Sequence, residues 1–225
     1  MDTSAVEVTA VLPAYNPGGA ISKVLAEVSD YLPKDHILVV DDGSTDGLQQ
    51  RVAEAGVQVL RHERNRGKGA ALRTAFDFVK RHSTSQAIIT LDADGQHPPR
   101  EIPGFIRAFV ETGADLIIGH RSFDFRVMPL ARIASNRITS ALLSRKLGVE
   151  IKDSQCGYRL HSRLLIEQIT LETEGYDTES EVIIKACRAG CKVHFHPIAT
   201  VYAGQKSHIH GARDIYRFIT LYFRT

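Results

Sequence analysis

The stretch Thr90-Leu91-Asp92-Ala93-Asp94-Gly95-Gln96-His97-Pro98-Pro99 decides how the rest of the sequence is interpreted. It completes an apolar run that starts at Ala87 and is typical of a buried strand. Asp92, Asp94 and Gln96 alternate along a segment leaving that strand, and alternate residues of an extended chain point the same way. The pattern predicts a cluster of oxygen ligands for a divalent cation, Mg²⁺ or Mn²⁺, completed by substrate phosphates. A solvated acidic turn is the alternative interpretation.

Three further polar clusters follow apolar runs in the same way. The runs cover about 6–12, 36–40 and 115–119, and the clusters that end them are Pro13–Tyr15, Asp41–Asp42 and His120–Arg121. Short strands that alternate with helical patterns predict a parallel sheet covered on both faces, with ligands at the carboxyl ends of its strands. We therefore expect an α/β fold with a Rossmann-like, mostly parallel central sheet and a site at one edge.

The remaining pattern predicts helices and two more strands. Asp153 to Arg159 is expected to be a polar loop, and Thr178-Glu179-Ser180-Glu181 has the form of a capping box at a helix start. The expected helices cover about 20–32, 48–55, 70–80, 100–111, 130–147, 162–169, 178–189 and 214–223, and the further strands 57–60 and 191–198.

Composition narrows the class of protein. The chain has 225 residues, 43% of them apolar, and a formal charge of +2, which suits a globular enzyme and argues against bulk nucleic-acid binding. No apolar run approaches the roughly 20 residues of a membrane span, and the N-terminus lacks a signal-peptide pattern. Three cysteines without a Cys-x-x-Cys pair fit a reduced, cytoplasmic setting.

The basic segment Asn65-Arg66-Gly67-Lys68-Gly69 has two interpretations. It could be a flexible loop, or its glycines could let the backbone approach a ligand in front of a helix N-terminus. Neither G-x-G-x-x-G after the first strand nor G-x-x-x-x-G-K-[ST] occurs, so a nicotinamide enzyme and a P-loop NTPase are poorly supported.

Taken together, these segments resemble family 2 glycosyltransferases with the GT-A fold. The resemblance is strongest to dolichol-phosphate mannosyltransferase and related polyprenyl-phosphate glycosyltransferases, and it covers nearly the whole chain. The matching segments are Val11 to Asn16, Val39 to Asp46, Asn65 to Gly69, Asp92 to Pro99, Gly119 to Arg121, Ser135 to Arg137, Asp153 to Arg159 and Gln205 to His208.

The resemblance implies a role for individual positions. Asp94, Asp92 and Arg121 would be catalytic, with Asp94 carrying the metal and Asp92 and Gln96 assisting it. Asp42 would contact the base of the donor nucleotide. The donor would also contact Pro13, Tyr15, Val40, Asp92 and Ala93; phosphate or sugar would contact Arg121; and the acceptor phosphate would contact Arg132, Ser135 and Arg137. A solvated helix face is the alternative for Arg132 and Arg137.

Three departures from the family pattern are visible. Pro17 stands where the family usually has Glu, so one nucleotide contact is missing or replaced. The late motif ends Ser207-His208 instead of Ser-Lys, with Lys206 shifted, and a histidine is a weaker, pH-dependent phosphate partner. Many relatives carry C-terminal membrane helices, and this sequence ends at Thr225 without one.

The implied reaction is an inverting displacement in which an acceptor oxygen attacks the anomeric carbon of a nucleoside-diphosphate sugar. Asp153 and Glu181 are the candidate bases of the second half, and Glu181 is equally a candidate capping-box residue. A phosphate monoester needs no base, since its second pKa is about 6. We therefore expect a polyprenyl-phosphate acceptor. Transfer to a sugar or protein hydroxyl, a sugar nucleotidyltransferase and an inactive nucleotide-sugar binding module are the alternatives.

The sequence is expected to form one GT-A domain across 1–225. Its parts would be a nucleotide-sugar half, about 1–121, an acceptor half, about 122–210, and a C-terminal amphipathic helix, 211–225. The helix has an apolar stripe beside three arginines, which favours peripheral contact with the cytoplasmic face of a membrane. Packing of the stripe on the domain is the alternative. The stripe is Ile215, Phe218, Ile219, Tyr222 and Phe223, and the arginines are Arg213, Arg217 and Arg224.

Overall fold

The computed structural model describes residues 6–122, 128–199 and 211–225, with the side chains of the last segment described from 216 onward. In its first half, strands and helices alternate as the apolar periodicity predicts. The elements are β1 (Val8–Ala14), α1 (Ala20–Ser29), β2 (Ile37–Asp41), α2 (Leu48–Ala55), β3 (Gln58–Arg61), α3 (Lys68–His82) and β4 (Ala87–Thr90).

The second half adds three strands and five helices. A single 3₁₀ turn, Pro99–Glu101, leads into the first helix, because the proline pair after the acidic motif cannot continue a strand. The elements are α4 (Ile102–Thr112), β5 (Leu116–Arg121), α5 (Leu130–Leu147), β6 (Arg159–Ser162), α6 (Arg163–Gln168), α7 (Thr178–Arg188), β7 (Val193–Ile198) and α8 (Gly211–Arg224).

The strands form one seven-stranded sheet in the order β3-β2-β1-β4-β6-β5-β7. Every neighbouring pair is parallel except the two pairs that include β6, which is antiparallel to both β4 and β5. Because β6 runs opposite to both of its neighbours, β4 and β5 point the same way. The prediction of a mostly parallel α/β sheet is confirmed, and the carboxyl ends of β1, β2, β4 and β5 lie at one edge.

Strand β6 is the element that sequence patterning missed. Arg159 was expected in a polar loop and Ser162 at a helix start, but Arg159–Ser162 is a fully buried strand and the helix begins one residue later. Polar side chains are tolerated there because they are bonded internally. Arg159 donates to the carbonyls of Ser154 (2.9 Å), Cys156 (2.6 Å) and Glu179 (2.6 Å), so it ties the loop before β6 to the start of α7.

Replacing Arg159 with Met should lower the free energy of unfolding by roughly 3–5 kcal/mol, because three carbonyl groups in the interior would lose their charged donor. Urea denaturation monitored by far-UV circular dichroism measures this. Arg163→Met is the matched control: Arg163 also donates to three carbonyls, those of Val79, Lys80 and Ser83, but its side chain is 29% exposed. Water replaces those bonds, so we expect a loss of about 1 kcal/mol. Equal losses of unfolding free energy in the two variants would contradict the structural role given to the buried Arg159.

Candidate active site

The four polar clusters at the strand ends surround one cavity of about 1110 Å³. The structure therefore brings together most of the residues that the sequence singled out. Those that line the cavity are Pro13, Tyr15, Asp42, Asp92, Ala93, Asp94, Gln96, Arg121 and Arg132, together with Pro17 and Lys68.

Other predicted site residues lie elsewhere. Val40 is fully buried in β2, where it pairs with Pro13, and Arg137 is exposed on α5 outside the cavity lining. Ser135 lies behind the lining residue Gln155, whose Nε2 donates to its hydroxyl over 3.3 Å. Gln205, Lys206, Ser207 and His208 are outside the described residues, as are the side chains of Arg213 and Ile215.

The turn after β1 is fixed by the turn after β2. Asn16 has a positive φ of 47°, and its backbone N–H donates to Ser44 Oγ over 2.9 Å. Gly18 N–H donates to Asp46 Oδ2 over 2.7 Å, while Asp46 Oδ1 accepts from Leu48 N–H at the start of α2. Ser44 and Asp46 thus hold the first cavity loop, and Tyr15 stands 45% exposed at its rim.

Asp42 organises the basic segment before α3. Its carboxylate accepts from the backbone N–H groups of Arg66 (2.9 Å) and Gly67 (2.7 Å), and it lies 2.6 Å from Nδ1 of His62. Gly67 has φ of +94°, and a Cβ there would collide with the carbonyl oxygen of Glu174. The segment is therefore a built wall of the cavity and not a flexible loop. Contact of Asp42 with a nucleotide base remains a prediction.

Lys68 joins the two halves of the site. Its ammonium lies 2.6 Å from Asp92 Oδ1 and 2.9 Å from Glu179 Oε1, with only 16% of the side chain exposed. Burial alone would lower the pKa of Lys68, but the two neighbouring carboxylates outweigh burial, so the pKa of Lys68 is raised. For Asp92 burial also acts against ionisation, and the Lys68 charge overcomes it, so the pKa of Asp92 is lowered. Both groups are therefore charged at neutral pH.

His97 braces the acidic motif as a neutral ring. The backbone N–H of Asp92 donates to its Nδ1 over 3.0 Å, so Nδ1 is an acceptor and the proton lies on Nε2. Burial lowers the pKa of His97, which keeps the ring uncharged although Asp92 opposes this effect. The ring stacks on Tyr158 at a centroid distance of 5.2 Å. His97 thus fixes the backbone from which Asp92 and Asp94 project.

The oxygen ligands fit a cation that substrate phosphates complete. Among the described residues there is no group of three His, Cys, Asp or Glu side chains placed to hold a metal. Asp94 and Gln96 line the cavity, and Asp94 Oδ1 accepts from the Gln96 N–H over 2.9 Å. Since Lys68 engages Asp92, Asp94 is the carboxylate best placed for Mg²⁺ or Mn²⁺. One or two carboxylates with substrate phosphates are a usual magnesium environment.

Arg121 is held at the end of β5 by Asp153. Its Nε and Nη2 donate to the two oxygens of Asp153 over 2.8 and 2.9 Å, and Asn136 Nδ2 adds a third bond of 2.8 Å. Burial raises the pKa of Asp153, but the Arg121 contacts outweigh it and the net direction is downward. Asp153 is therefore a poor proton acceptor, and its expected alternative role as a base does not fit this geometry.

Glu181 fits neither of its two expected roles. The start of α7 has no side-chain cap, so the predicted capping box does not form. Instead, the buried carboxylate of Glu181 accepts from the backbone N–H groups of Glu172 (2.8 Å) and Thr173 (2.9 Å) and pairs with Lys185. The preceding loop offers these unsatisfied donors, which bind the carboxylate better than the helix end does. Glu181 is thus a structural residue and not a base.

Sequence reasoning missed several lining residues, and two of them carry charge into the cavity from α7 and α8. Glu179 comes from the first turn of α7, and Arg217 comes from α8. An acid beside a helix start is common, so nothing near Glu179 in sequence indicates its pairing with Lys68. Arg217 was expected beside a membrane, because a helix pattern does not show which boundary residue turns toward a neighbouring cavity.

Replacing Lys68 with Met should lower the free energy of unfolding at pH 7 by about 2–4 kcal/mol, since it leaves the buried Glu179 and the one-third exposed Asp92 unpaired. The folded-state pKa of Asp92 is lowered, so this contribution is present above the usual pKa of about 4 and fades as pH falls below it. Urea titrations at pH 7 and at the lowest pH that preserves both folds measure the difference. Lys23→Met is the control: Lys23 pairs with Glu27, its side chain is 82% exposed, and its loss should change the free energy of unfolding by under about 0.5 kcal/mol. A pH-independent difference would contradict the ion-pair account.

A mostly parallel α/β sheet with an acid pair and a large polar cavity at its strand ends matches the architecture expected of a GT-A glycosyltransferase. The chain belongs to glycosyl transferase family 2, whose model matches residues 9–170. The resemblance found in the sequence is thereby confirmed, and the protein is a glycosyltransferase.

Individual relatives agree with this assignment. The chain is 34% identical over 200 residues to the polyprenol monophosphomannose synthase of Mycolicibacterium smegmatis, covering 84% of this chain and 75% of the relative. It is 30% identical over 207 residues to the undecaprenyl-phosphate mannosyltransferase of Micrococcus luteus, covering 87% and 84%.

Solved structures share the fold. Glucosyl-3-phosphoglycerate synthase from Mycobacterium tuberculosis, in complex with Mn²⁺ and UDP-glucose, superposes with a TM-score of 0.76 at 20% identity, covering 98% of this chain and 80% of that one. At this identity the likeness concerns the fold.

Proposed function

We propose that the protein is an inverting, metal-dependent glycosyltransferase that moves a sugar from a nucleoside-diphosphate sugar, GDP-mannose or a UDP-sugar, to a polyprenyl or dolichyl phosphate. One observation carries the proposal: the acid pair Asp92 and Asp94 shares a single cavity with the arginines Arg121 and Arg132. The acids would hold a cation beside the leaving diphosphate, and the arginines would bind an anionic acceptor. Relatives named for polyprenyl-phosphate acceptors support the choice of acceptor.

The donor nucleotide lies between the turns after β1 and β2. Pro13 and Tyr15 offer apolar surface to the base, and Asp42 stands at the end of β2 where the base edge would lie. Val40 acts on this site only through Pro13, with which it pairs across the two strands. The sugar and diphosphate then extend toward Asp92, Ala93 and Asp94. In this arrangement residues 1–121 form the nucleotide-sugar half of one domain.

The cation site consists of Asp94 with Gln96 beside it and Asp92 in support. A bound Mg²⁺ or Mn²⁺ supplies Lewis-acid stabilisation of the charge that develops on the departing diphosphate. Lys68, held between Asp92 and Glu179, offsets part of their negative charge at the same place. His97 keeps the backbone of this motif in position without adding charge.

The acceptor attacks the anomeric carbon from the opposite side. Asp153 and Glu181 are both committed to structural hydrogen bonds, so neither is available to deprotonate a hydroxyl. A phosphate monoester fits this site because it is largely dianionic at neutral pH and attacks without a base. Arg121 and Arg132 orient it, and Ser135 lies behind them through Gln155. Arg137, which is exposed outside the cavity lining, and His208 complete the proposed acceptor contacts.

The decisive experiment is a transfer assay with radiolabelled GDP-mannose and UDP-sugars, using a short-chain polyprenyl phosphate as acceptor and Mg²⁺, Mn²⁺ or EDTA. Label in the organic phase that depends on the metal supports the proposal. Label only on soluble sugars would favour a hydroxyl acceptor instead. A thermal-shift series with GDP and UDP identifies the base, because a ligand at 100 times its Kd stabilises the folded form by about 2.7 kcal/mol.

Replacing Asp94 with Asn should lower kcat/KM for this transfer by at least about 100-fold, because the loss of a metal ligand removes several kcal/mol of transition-state stabilisation. Initial rates over a range of Mn²⁺ concentrations measure this. Asp77→Asn on α3, an acid with 48% side-chain exposure near Lys80, is the matched control and should stay within about twofold of the native rate. Metal-dependent activity that survives in Asp94→Asn would refute the assignment of the cation to Asp94.

Contact with the lipid-bearing membrane belongs to the outer face of α8. None of the described helices combines the length and apolar character needed to cross a membrane. Phe218 and Leu221 of α8 are buried against the core, whereas Tyr216, Ile219 and Phe223 are exposed by 70%, 47% and 82%. The predicted apolar stripe thus divides between the two interpretations. We propose that the exposed side enters the headgroup region on the cytoplasmic side.

The double change Ile219→Ser and Phe223→Ser should weaken binding to vesicles containing anionic lipids by at least about 10-fold, since each large apolar side chain contributes about 1.5–3 kcal/mol when it leaves water. Liposome flotation measures it. Leu164→Ser, which removes a 52% exposed leucine from α6, is the control. Point changes are preferable to deletion of α8, because deletion would also uncover the core. Equal flotation of all three proteins would exclude α8 as the membrane contact.

A further inference from the structure

Helix α8 is fixed on the domain by contacts on three sides. Phe218 and Leu221 are buried in the core, and Lys146 of α5 donates to the carbonyl of Tyr222 while lying 4.5 Å over its ring. At the end of the helix, Arg224 pairs with Glu172 of the segment before α7. The position of α8 relative to the cavity is therefore set by packing and not by the exposed apolar face alone.

Arg217 stands at the boundary between the buried and exposed sides of α8, and its side chain lines the cavity. Gly175 provides the space for its guanidinium group: a Cβ atom at Gly175 would collide with Nη1 of Arg217 and lie 2.9 Å from Asp177 Oδ1. The absence of a side chain at Gly175 thus leaves room for the guanidinium group in this position, where it lines the cavity.

The charge of Arg217 is less neutralised than the charges of Lys68 and Arg121 in the same cavity. Lys68 has Asp92 and Glu179, and Arg121 has Asp153. Around Arg217 the acids are Glu174, whose side chain is 63% exposed, and Asp177. No carboxylate of the described residues lies within salt-bridge distance of Arg217, and Asp177 Oδ1 is buried without a hydrogen-bond partner.

We propose that Arg217 is a phosphate-binding residue of the cavity. A guanidinium group binds phosphate oxygens in bidentate fashion, and such charge-assisted bonds are stronger than neutral ones. The phosphate belongs either to the lipid acceptor or to the diphosphate of the donor, and this inference rests on the proposed function for those two ligands. In either case the helix that meets the membrane also contributes a ligand contact inside the site.

The test compares Arg217→Ala, Arg217→Lys and Arg224→Ala in the 225-residue chain. Arg224 is the matched control because it lies on the same helix and pairs with Glu172 outside the cavity lining. One arm measures Kd for GDP and UDP by calorimetry, and the other measures KM and kcat for a short-chain polyprenyl phosphate. We expect Arg217→Ala to raise one of these constants by about 10- to 100-fold, with partial recovery in Arg217→Lys. A change in KM identifies the acceptor, and a change in Kd identifies the donor.

Two outcomes would overturn the inference. One is Arg217→Ala within twofold of Arg224→Ala in both arms. The other is a loss of thermal stability shared by Arg217→Ala and Asp177→Asn without any effect on ligand constants, which would make Arg217 a structural partner of Asp177. If the native chain transfers nothing to polyprenyl phosphate, the proposed function fails, while the nucleotide arm still decides whether Arg217 binds phosphate.

Discussion

The ammonium of Lys68, placed between Asp92 and Glu179, is the interaction on which the organisation of the site depends. Asp92 follows β4 in the first half of the chain, and Glu179 lies in the first turn of α7 in the second. A single, largely buried cation thus holds a carboxylate at the end of β4 against the first turn of α7. Lys68 and Glu179 are largely buried and Asp92 is one-third exposed, so their desolvation is costly, and the arrangement is stable only because each charge has a partner of opposite sign.

Side chains from neighbouring segments hold the backbone groups of the cavity loops. Asp42 anchors the segment before α3, Ser44 and Asp46 anchor the turn after β1, and Glu181 anchors the segment before α7. These loops carry few apolar residues, so packing alone would not order them. Carboxylates that accept backbone N–H bonds give them defined shapes, and a preorganised site loses less entropy when a ligand binds.

The first half of the fold and the strand-end clusters could be predicted from the sequence because their information is local. Apolar runs, helical spacing and turns place β1, β2 and β4, and parallel strands with helical crossovers bring Tyr15, Asp42 and Asp92 to one edge. Strand β6 could not be predicted in the same way. Arg159 and His161 are polar, and they are buried only because distant carbonyls and rings receive them.

The same limit explains the site residues that were misjudged. Glu181 matched a local capping pattern, yet loop donors eight and nine residues earlier in the chain took its carboxylate. For the segment with Lys68 the sequence left a flexible loop and a ligand-binding loop both open, since the partners of Lys68 lie 24 residues away at Asp92 and in another helix at Glu179. Local sequence indicates which residues carry charge, whereas long-range contacts decide which of those charges are neutralised.

The reversed strand β6 has a consequence for biogenesis. One edge of β4 stays uncovered until β6 is synthesised, since Thr90 of β4 pairs with Arg159, which comes 69 residues later in the chain. During translation the edge of β4 is therefore a template for pairing with other nascent chains, and β5 has no sheet to join until β6 emerges. Because the closing contacts are distant in sequence, the second half of the sheet assembles late and slowly. Protection of nascent chains by chaperones should matter most in the interval between the synthesis of β4 and that of β6.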